Sequence, residues 1–167
     1  MALDVIIRPA VEDDLGDIAA IYNHEIANST ATFDLEPPTL DYWRQRLAGR
    51  EQGDRLLVAV DTDEDVVGYA YSWSYRPRPG YRRTRETSIY VDPSMRGRGV
   101  GRVLYPALLE AMTRAGVHCA VALVALPNPG SVALHKACGF EHVGSMREVG
   151  YKFDHWVDVE WYQKILV

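Results

Sequence analysis

Apolar residues recur along this 167-residue chain at two spacings, and the switches between them mark out its elements. Val5-Ile6-Ile7-Arg8 reads as a short strand that Pro9 should end. Val11, Leu15, Ile18, Ala19, Tyr22 and Ile26 then keep the three-and-four step of an amphipathic helix, with Glu12, Asp13 and Asp14 in its first turn to complement the helix dipole. The turn-rich segment from Asn28 to Pro38 leaves Phe33 in a loop, after which Thr39 can cap a second helix carrying Leu40, Trp43 and Leu47 on one face. Leu56 to Val60 and Val66 to Trp73, joined by the polar turn Asp61 to Asp65, predict a hairpin. A loop rich in Pro, Gly, Arg and Tyr runs from Ser74 to Arg85, and a strand follows from Glu86 to Val91.

In the second half, Val100, Val103, Leu104, Ala107, Leu108, Ala111, Met112 and Ala115 predict a helix that Gly116 stops, and Pro106 should kink it or fall near its first turn. Cys119 to Leu126 is an unbroken apolar run, as expected of a central strand covered on both faces. The turn Asn128-Pro129-Gly130-Ser131 leads into a short helix, Val132 to Cys138, ended by Gly139. Val143 to Val149 and Val157 to Ile165 read as two last strands around a Gly150 to Trp156 connection. The order β-α-α-β-β-β-α-β-α-β-β predicts one mixed α/β (α+β) domain over residues 1–167 with a central sheet of about seven strands.

Composition narrows the class. No apolar run approaches the roughly 20 residues of a membrane span, and Met1-Ala2-Leu3-Asp4-Val5 does not read as a signal peptide. A net charge of −5 argues against nucleic acid as a partner. Cys119 and Cys138 lie inside apolar patterns, which suits two free thiols in a cytoplasmic protein. His118, His142 and His155 show no metal-ligand spacing, so no metal is expected.

The chemistry concentrates where the strand Ile89-Tyr90-Val91 runs through Asp92-Pro93-Ser94-Met95 into Arg96-Gly97-Arg98-Gly99-Val100-Gly101. Glycines alternating with arginines at the start of a helix let several N–H groups approach one anion, with countercharge beside them. A tight strand-to-helix turn would explain the glycines but not the arginines. The dinucleotide fingerprint fails, because Arg102 stands where its last glycine belongs and Val117-His118-Cys119-Ala120 where its acidic residue belongs. The Walker pattern fails for want of a Gly-Lys-Ser/Thr.

What remains, Arg-x-x-Gly-x-Gly after a strand, resembles the pyrophosphate signature of the GNAT family of N-acetyltransferases. Glu86-x-Ser88-x-Tyr90-Val91, Leu126-Pro127-Asn128, Leu134-His135-x-x-x-Gly139-Phe140 and Gly150-x-Lys152-x-x-x-Trp156 are similar, in the same order, to its phosphinothricin and methionine sulfoximine/sulfone acetyltransferase branch. The resemblance implies acetyl-coenzyme A as co-substrate. Its pantetheine arm would lie along Ile89, Tyr90 and Val91, its pyrophosphate on Arg96, Gly97, Arg98, Gly99, Val100 and Gly101, and further contacts would come from Asn128 and Ser131. An acceptor site is implied at Phe33, Tyr75, Arg76, Glu86, Thr87 and Ser88, and a homodimer as the assembly.

Acetyl transfer to an amine needs a neutral nucleophile, a donor at the thioester oxygen and a proton for the departing thiolate. By resemblance Glu86 is the base; read alone, it is a strand-end carboxylate that Arg83 or Arg85 could pair. His135 could give a proton to the thiolate or take one from the amine, or serve only the helix it stands on. Arg76 is the candidate cation for an acceptor carboxylate, among the neighbours Arg78, Arg82, Arg83 and Arg85. Two other readings stay open at this stage: a different amine acceptor (an amino acid, a polyamine or a protein N-terminus), and a non-catalytic acyl-coenzyme A-binding module.

Overall fold

The computed structural model describes residues 4–167, so the reading of Met1, Ala2 and Leu3 lies outside the described residues. Its elements in chain order are β1 (Ile6–Pro9), α1 (Leu15–Asn28), α2 (Leu40–Ala48), β2 (Arg55–Val60), β3 (Val66–Ser74), β4 (Thr84–Val91), α3 (Val100–Arg114), β5 (Cys119–Ala125), α4 (Pro129–Ala137), β6 (Glu141–Lys152) and β7 (His155–Ile165). The strands form one sheet in the order β1-β2-β3-β4-β5-β7-β6. Every neighbouring pair is antiparallel except β4 and β5, which are parallel and joined through the crossover helix α3.

Each face of the sheet buries a core. On one side α1 and α2 pack Leu15, Ile18, Tyr22 and Trp43 against Val58, Tyr69 and Tyr71. On the other, α3 packs Leu104, Tyr105, Leu108 and Met112 against Ala59, Ala70, Ala120, Ala122 and Tyr162. The helix ends follow from local chemistry. The Thr39 hydroxyl accepts from Tyr42 N to open α2, Asn128 Oδ1 accepts from Ser131 N at 3.1 Å to open α4, and Gly116 (φ +78°) and Gly139 (φ +81°) follow the ends of α3 and α4.

Four expectations from the sequence are corrected. Pro9 belongs to β1, opposite Leu57, because β1 is an edge strand where a missing N–H costs no ladder bond. Pro106 sits in the interior of α3, which continues through it. β4 begins at Thr84, so Arg85 is a buried strand residue. The last two strands are longer than expected, for the Gly150 to Trp156 stretch is itself paired. Only Phe153 and Asp154 turn the chain, both at positive φ (+51° and +59°), the twist that a two-residue hairpin favours.

Candidate active site

The parallel pair sets up the site. β4 and β5 are in register over Thr84↔Cys119, Arg85↔Ala120 and Glu86↔Val121. Beyond Glu86 they part, while β4 stays paired with β3 as far as Val91 and β5 with β7 as far as Ala125. A wedge therefore opens at the carboxyl ends of two parallel strands, where open α/β sheets hold ligands. One edge of β4 is left with unpaired backbone groups facing the gap. The wedge belongs to a cleft of about 810 Å³ lined by Thr87 to Val91, the turn Met95 to Arg102, Leu123 to Ala125, Asn128, Ser131 and His135. Leu123, expected to be covered as part of a central strand, is 39% exposed because it faces this opening.

At one end of the cleft the glycine turn delivers the first amides of α3. Asp92 Oδ1 accepts from Ser94 N at 2.8 Å, and Gly97 (φ +73°) and Gly99 (φ +95°) hold left-handed conformations that favour glycine. Gly101 has a different reason to be glycine: a Cβ there would meet Leu134 Cδ2 at 3.0 Å, so its bareness lets α3 approach α4. The two arginines also differ. Arg98 is exposed along the cleft, whereas Arg96 pairs with the buried Glu25, whose other oxygen accepts from Ser29 Oγ at 2.5 Å.

Side chains alternate along β4, and this separates the two residues expected to share the chemistry. Glu86, Ser88 and Tyr90 stand opposite Trp73, Tyr71 and Tyr69 on β3, on the α1/α2 face. Thr87, Ile89 and Val91 point to the α3 face. Glu86 is half-buried and has no hydrogen bond or ion pair among the described residues. Burial pushes its carboxyl above the ordinary range, and the charges of Arg76 and Arg46 pull it partly back. Arg76 stacks on Tyr75, with Cζ 4.6 Å from the ring centroid, and donates only to the Tyr75 carbonyl. Its remaining donors meet no carboxylate among the described residues. Tyr75 in turn packs edge-on against Tyr81 and Trp161.

Phe33 is held by the last hairpin. Its ring occupies the space a Cβ of Gly150 would fill, and Lys152, two residues on, is buried with Nζ donating to the carbonyls of Ser29 (2.7 Å) and Thr32 (2.8 Å). Gly150 and Lys152 of the last hairpin thus shape the loop that carries Phe33.

His135 lies on the other face of the sheet, buried against Tyr105, Phe140 and Tyr162. Its Nδ1 stands 2.7 Å from the Ser131 carbonyl oxygen, which can only accept, so the proton is on Nδ1. Nε2 is then the acceptor for Tyr105 Oη at 3.1 Å, and Tyr105 Oη lies 2.7 Å from Thr87 Oγ1. Burial lowers the imidazole's pKa, which agrees with this neutral tautomer. Neither ring nitrogen is free to face the cleft. His135 therefore lines the cleft with both nitrogens committed, one to the Ser131 carbonyl and one to Tyr105.

The structure therefore brings Ile89, Tyr90, Val91, Arg96, Gly97, Arg98, Gly99, Val100, Gly101, Asn128 and Ser131 to one cleft. Ser88, Thr87 and His135 line the same cleft, and Glu86, with Arg76 near it, stands on the same side of β4 as Ser88, the α1/α2 face. The side chain of Tyr90 leaves the cleft for the aromatic cluster, stacking on Tyr69 at 5.4 Å. Among the described residues no group of three or more His, Cys, Asp or Glu is placed to hold a metal. Residues 7–161 match the model of the acetyltransferase (GNAT) domain. The chain belongs to the GNAT acetyltransferase family.

Within this family, the chain is 43% identical over 166 residues to the phosphinothricin N-acetyltransferase of Streptomyces coelicolor, covering 98% of this chain and 97% of that one. It is 40% identical to the L-methionine sulfoximine/L-methionine sulfone acetyltransferase of Pseudomonas paraeruginosa, covering 94% and 92%. A crystal structure of a GNAT phosphinothricin acetyltransferase from Sinorhizobium meliloti, in complex with acetyl-coenzyme A, superposes with a TM-score of 0.92 at 35% identity over 98% of this chain and 89% of that one. Four residues of the site were given no role from sequence: Glu25, Arg46, Tyr105 and Lys152. Arg46 was traceable, for it falls three residues after Trp43 on the buried face of α2. Lys152 stood in a quoted motif, but nothing local signalled that carbonyls 120 and 123 positions away would hold it.

Proposed function

We propose that this acetyltransferase moves the acetyl group of acetyl-coenzyme A to the α-amine of a small amino acid with a tetrahedral sulfur or phosphorus side chain, such as phosphinothricin, methionine sulfoximine or methionine sulfone. The observation that carries the reading is Glu86: a half-buried carboxylate with no partner among the described residues, near an Arg76 whose guanidinium meets no acid among them. An ammonium and a carboxylate on one carbon answer those two groups together. Two arginines around the base weigh against a polyamine, and the idle carboxylate weighs against a mere binding module.

The residues present fit the co-substrate. The α3 amides and Arg98 would take its phosphates, the unpaired edge of β4 the pantetheine amides, and Asn128 Nδ2, free while its Oδ1 caps α4, the arm near the wedge. When bound, it supplies an activated acyl carbon and a thiolate leaving group. Glu86 takes a proton from the acceptor ammonium, and Arg76 orients the acceptor through its carboxylate. A backbone N–H of the free β4 edge donates to the thioester oxygen. His135 orients Tyr105, and through it Thr87, whose one hydroxyl proton is taken up inside the network by Tyr105 Oη or the Val121 carbonyl.

We read the assembly as a homodimer of single-domain chains in the cytoplasm, without a resident metal. β6 is an edge strand, and the last hairpin exposes Val143, Val149, Tyr151, Phe153 and Trp156 by about half or more. This face suits a second copy better than water. Both cysteines are free, as a reducing compartment permits. The deciding experiment is an acetyl-transfer assay, read by thiol release, over a panel of amines. Turnover of the three named amino acids above simple amines and peptides supports the reading, and a preference for polyamines or peptide N-termini overturns it.

A further inference from the structure

The guanidinium of Arg46 sits in a cage of three rings, with Cζ 4.4 Å from the Trp73 centroid, 4.7 Å from Tyr71 and 4.8 Å from Tyr42. Nη2 donates to Tyr42 Oη at 2.8 Å, while Nε and Nη1 are buried with no acceptor among the described residues. Stability alone gives a poor account of this arrangement. Idle buried donors are costly, and an apolar side chain of similar length would fill the cage without them. Ring faces attract the cation but offer no lone pair, so the charge is held in place without being neutralised. Two walls of the cage, Trp73 and Tyr71, are the cross-strand partners of Glu86 and Ser88. Such partners project from one face, so the cage and the carboxylate are neighbours.

We propose that Arg46 is a positioning residue for Glu86: the cage fixes a permanent positive charge near the carboxylate and prevents the two from closing into an ion pair. The proposal rests on the reading of Glu86 as the base. A base must be ionised and yet keep a lone pair open, and a direct salt bridge would give the first while removing the second. Arg76 cannot do this alone, because a bound acceptor carboxylate claims its charge. Among the described residues the other charge acting on Glu86 is Arg76 on the loop; the phenols Tyr42 on α2, Tyr71 on β3 and Tyr90 on β4 belong to the cluster on the same side of the sheet, and Glu25 of α1, near Tyr90, is paired with Arg96. From β5 and β7 come Val121, Leu123, Trp161 and Gln163, none of them charged.

The test is a carbon-13 NMR titration of the Glu86 carboxyl in wild type, Arg46→Met, Arg46→Lys and Trp73→Leu, beside the pH profile of acetyl transfer. In Arg46→Met the Glu86 midpoint and the acid limb of kcat/KM should move together to higher pH. Activity should fall about tenfold on the acid side and recover at alkaline pH, and Arg46→Lys should restore most of the shift. Trp73→Leu opens the cage, so the midpoint should move the other way while kcat falls. This variant keeps the proposal open to refutation even if Arg46→Met fails to fold. An unmoved Glu86 midpoint in either folded variant overturns the proposal, as does a loss of rate uniform across pH. If wild type acetylates none of the amines but the midpoints move as stated, the functional reading fails and the electrostatic role of Arg46 stands.

Discussion

The two faces of β4 handle their polar side chains in opposite ways. On the α3 face Thr87 is buried and joined to Tyr105, which is joined to His135, which is joined to the Ser131 carbonyl, so each group has a partner. On the α1/α2 face, among the described residues, Glu86 has no partner, Arg76 meets no acid, and Arg46 has two unused donors. A satisfied network holds a geometry; unsatisfied charges are available to a ligand. The sequence offered Glu86 as the base by resemblance and His135 as a second candidate that could give or take a proton. The structure gives them unequal settings, one idle and desolvated, the other neutral and already bonded at both nitrogens.

The largest effect should come from the idle face. Glu86→Gln removes the base while keeping its shape, so kcat should fall by ~10²- to 10⁴-fold while coenzyme A binding, followed by calorimetry, is unchanged. Because burial holds the Glu86 carboxyl above the ordinary range, it is ionised only above that range. Activity of wild type should therefore decline as pH falls through a limb higher than that of a free glutamate, and this limb should vanish in the variant. A variant that keeps the limb would move the base to another residue.

Arg76→Ala is next. A lost charge-assisted hydrogen bond costs ~1.5 to 3 kcal/mol, which is about 10- to 100-fold in kcat/KM for an acceptor with a free carboxylate. An amidated acceptor should lose far less. Equal losses for both would show that the acceptor carboxylate is held elsewhere.

On the satisfied face Tyr105→Phe should cost stability first, about 1 to 3 kcal/mol in denaturant unfolding, because Nε2 of His135 and Oγ1 of Thr87 lose their shared partner in a dry site. Its effect on kcat should match that of His135→Asn. If His135→Asn abolishes turnover while Tyr105→Phe leaves it untouched, the imidazole acts on substrate directly and the comparison of faces breaks.

Much of this was legible beforehand. Helix spacing from Val11 to Ile26 and from Val100 to Ala115, and the alternation through β2 and β3, placed the elements within a few residues. Where the reading missed, the cause was tertiary. Phe153 and Asp154 hold a two-residue turn at positive φ without a glycine between them, so the hairpin left no local signal. Pro106 is carried in a helix whose packed face outweighs one missing hydrogen bond. The partners of Arg96 and Lys152, and the Tyr105 hydroxyl that meets His135, lie 30 to 127 positions away, beyond what a pattern of neighbours can report.

The smallest effect concerns two glycines that look alike in sequence. Gly99 stands at φ +95°, where any Cβ strains the backbone by about 1 to 2 kcal/mol. Gly99→Ala should therefore lower stability and distort the turn that presents the α3 amides, weakening coenzyme A binding in calorimetry. Gly101 lies inside α3, where alanine gains up to about 1 kcal/mol of helix propensity. The new Cβ would press on Leu134 Cδ2 at 3.0 Å, the end of a flexible side chain, so the two contributions should nearly cancel. Gly101→Ala should unfold within about 0.5 kcal/mol of wild type and bind coenzyme A about as well, since its Cβ points at α4. A large loss of affinity in Gly101→Ala, with stability intact, would mean that both glycines serve the ligand and that the packing of α3 on α4 is incidental to the second.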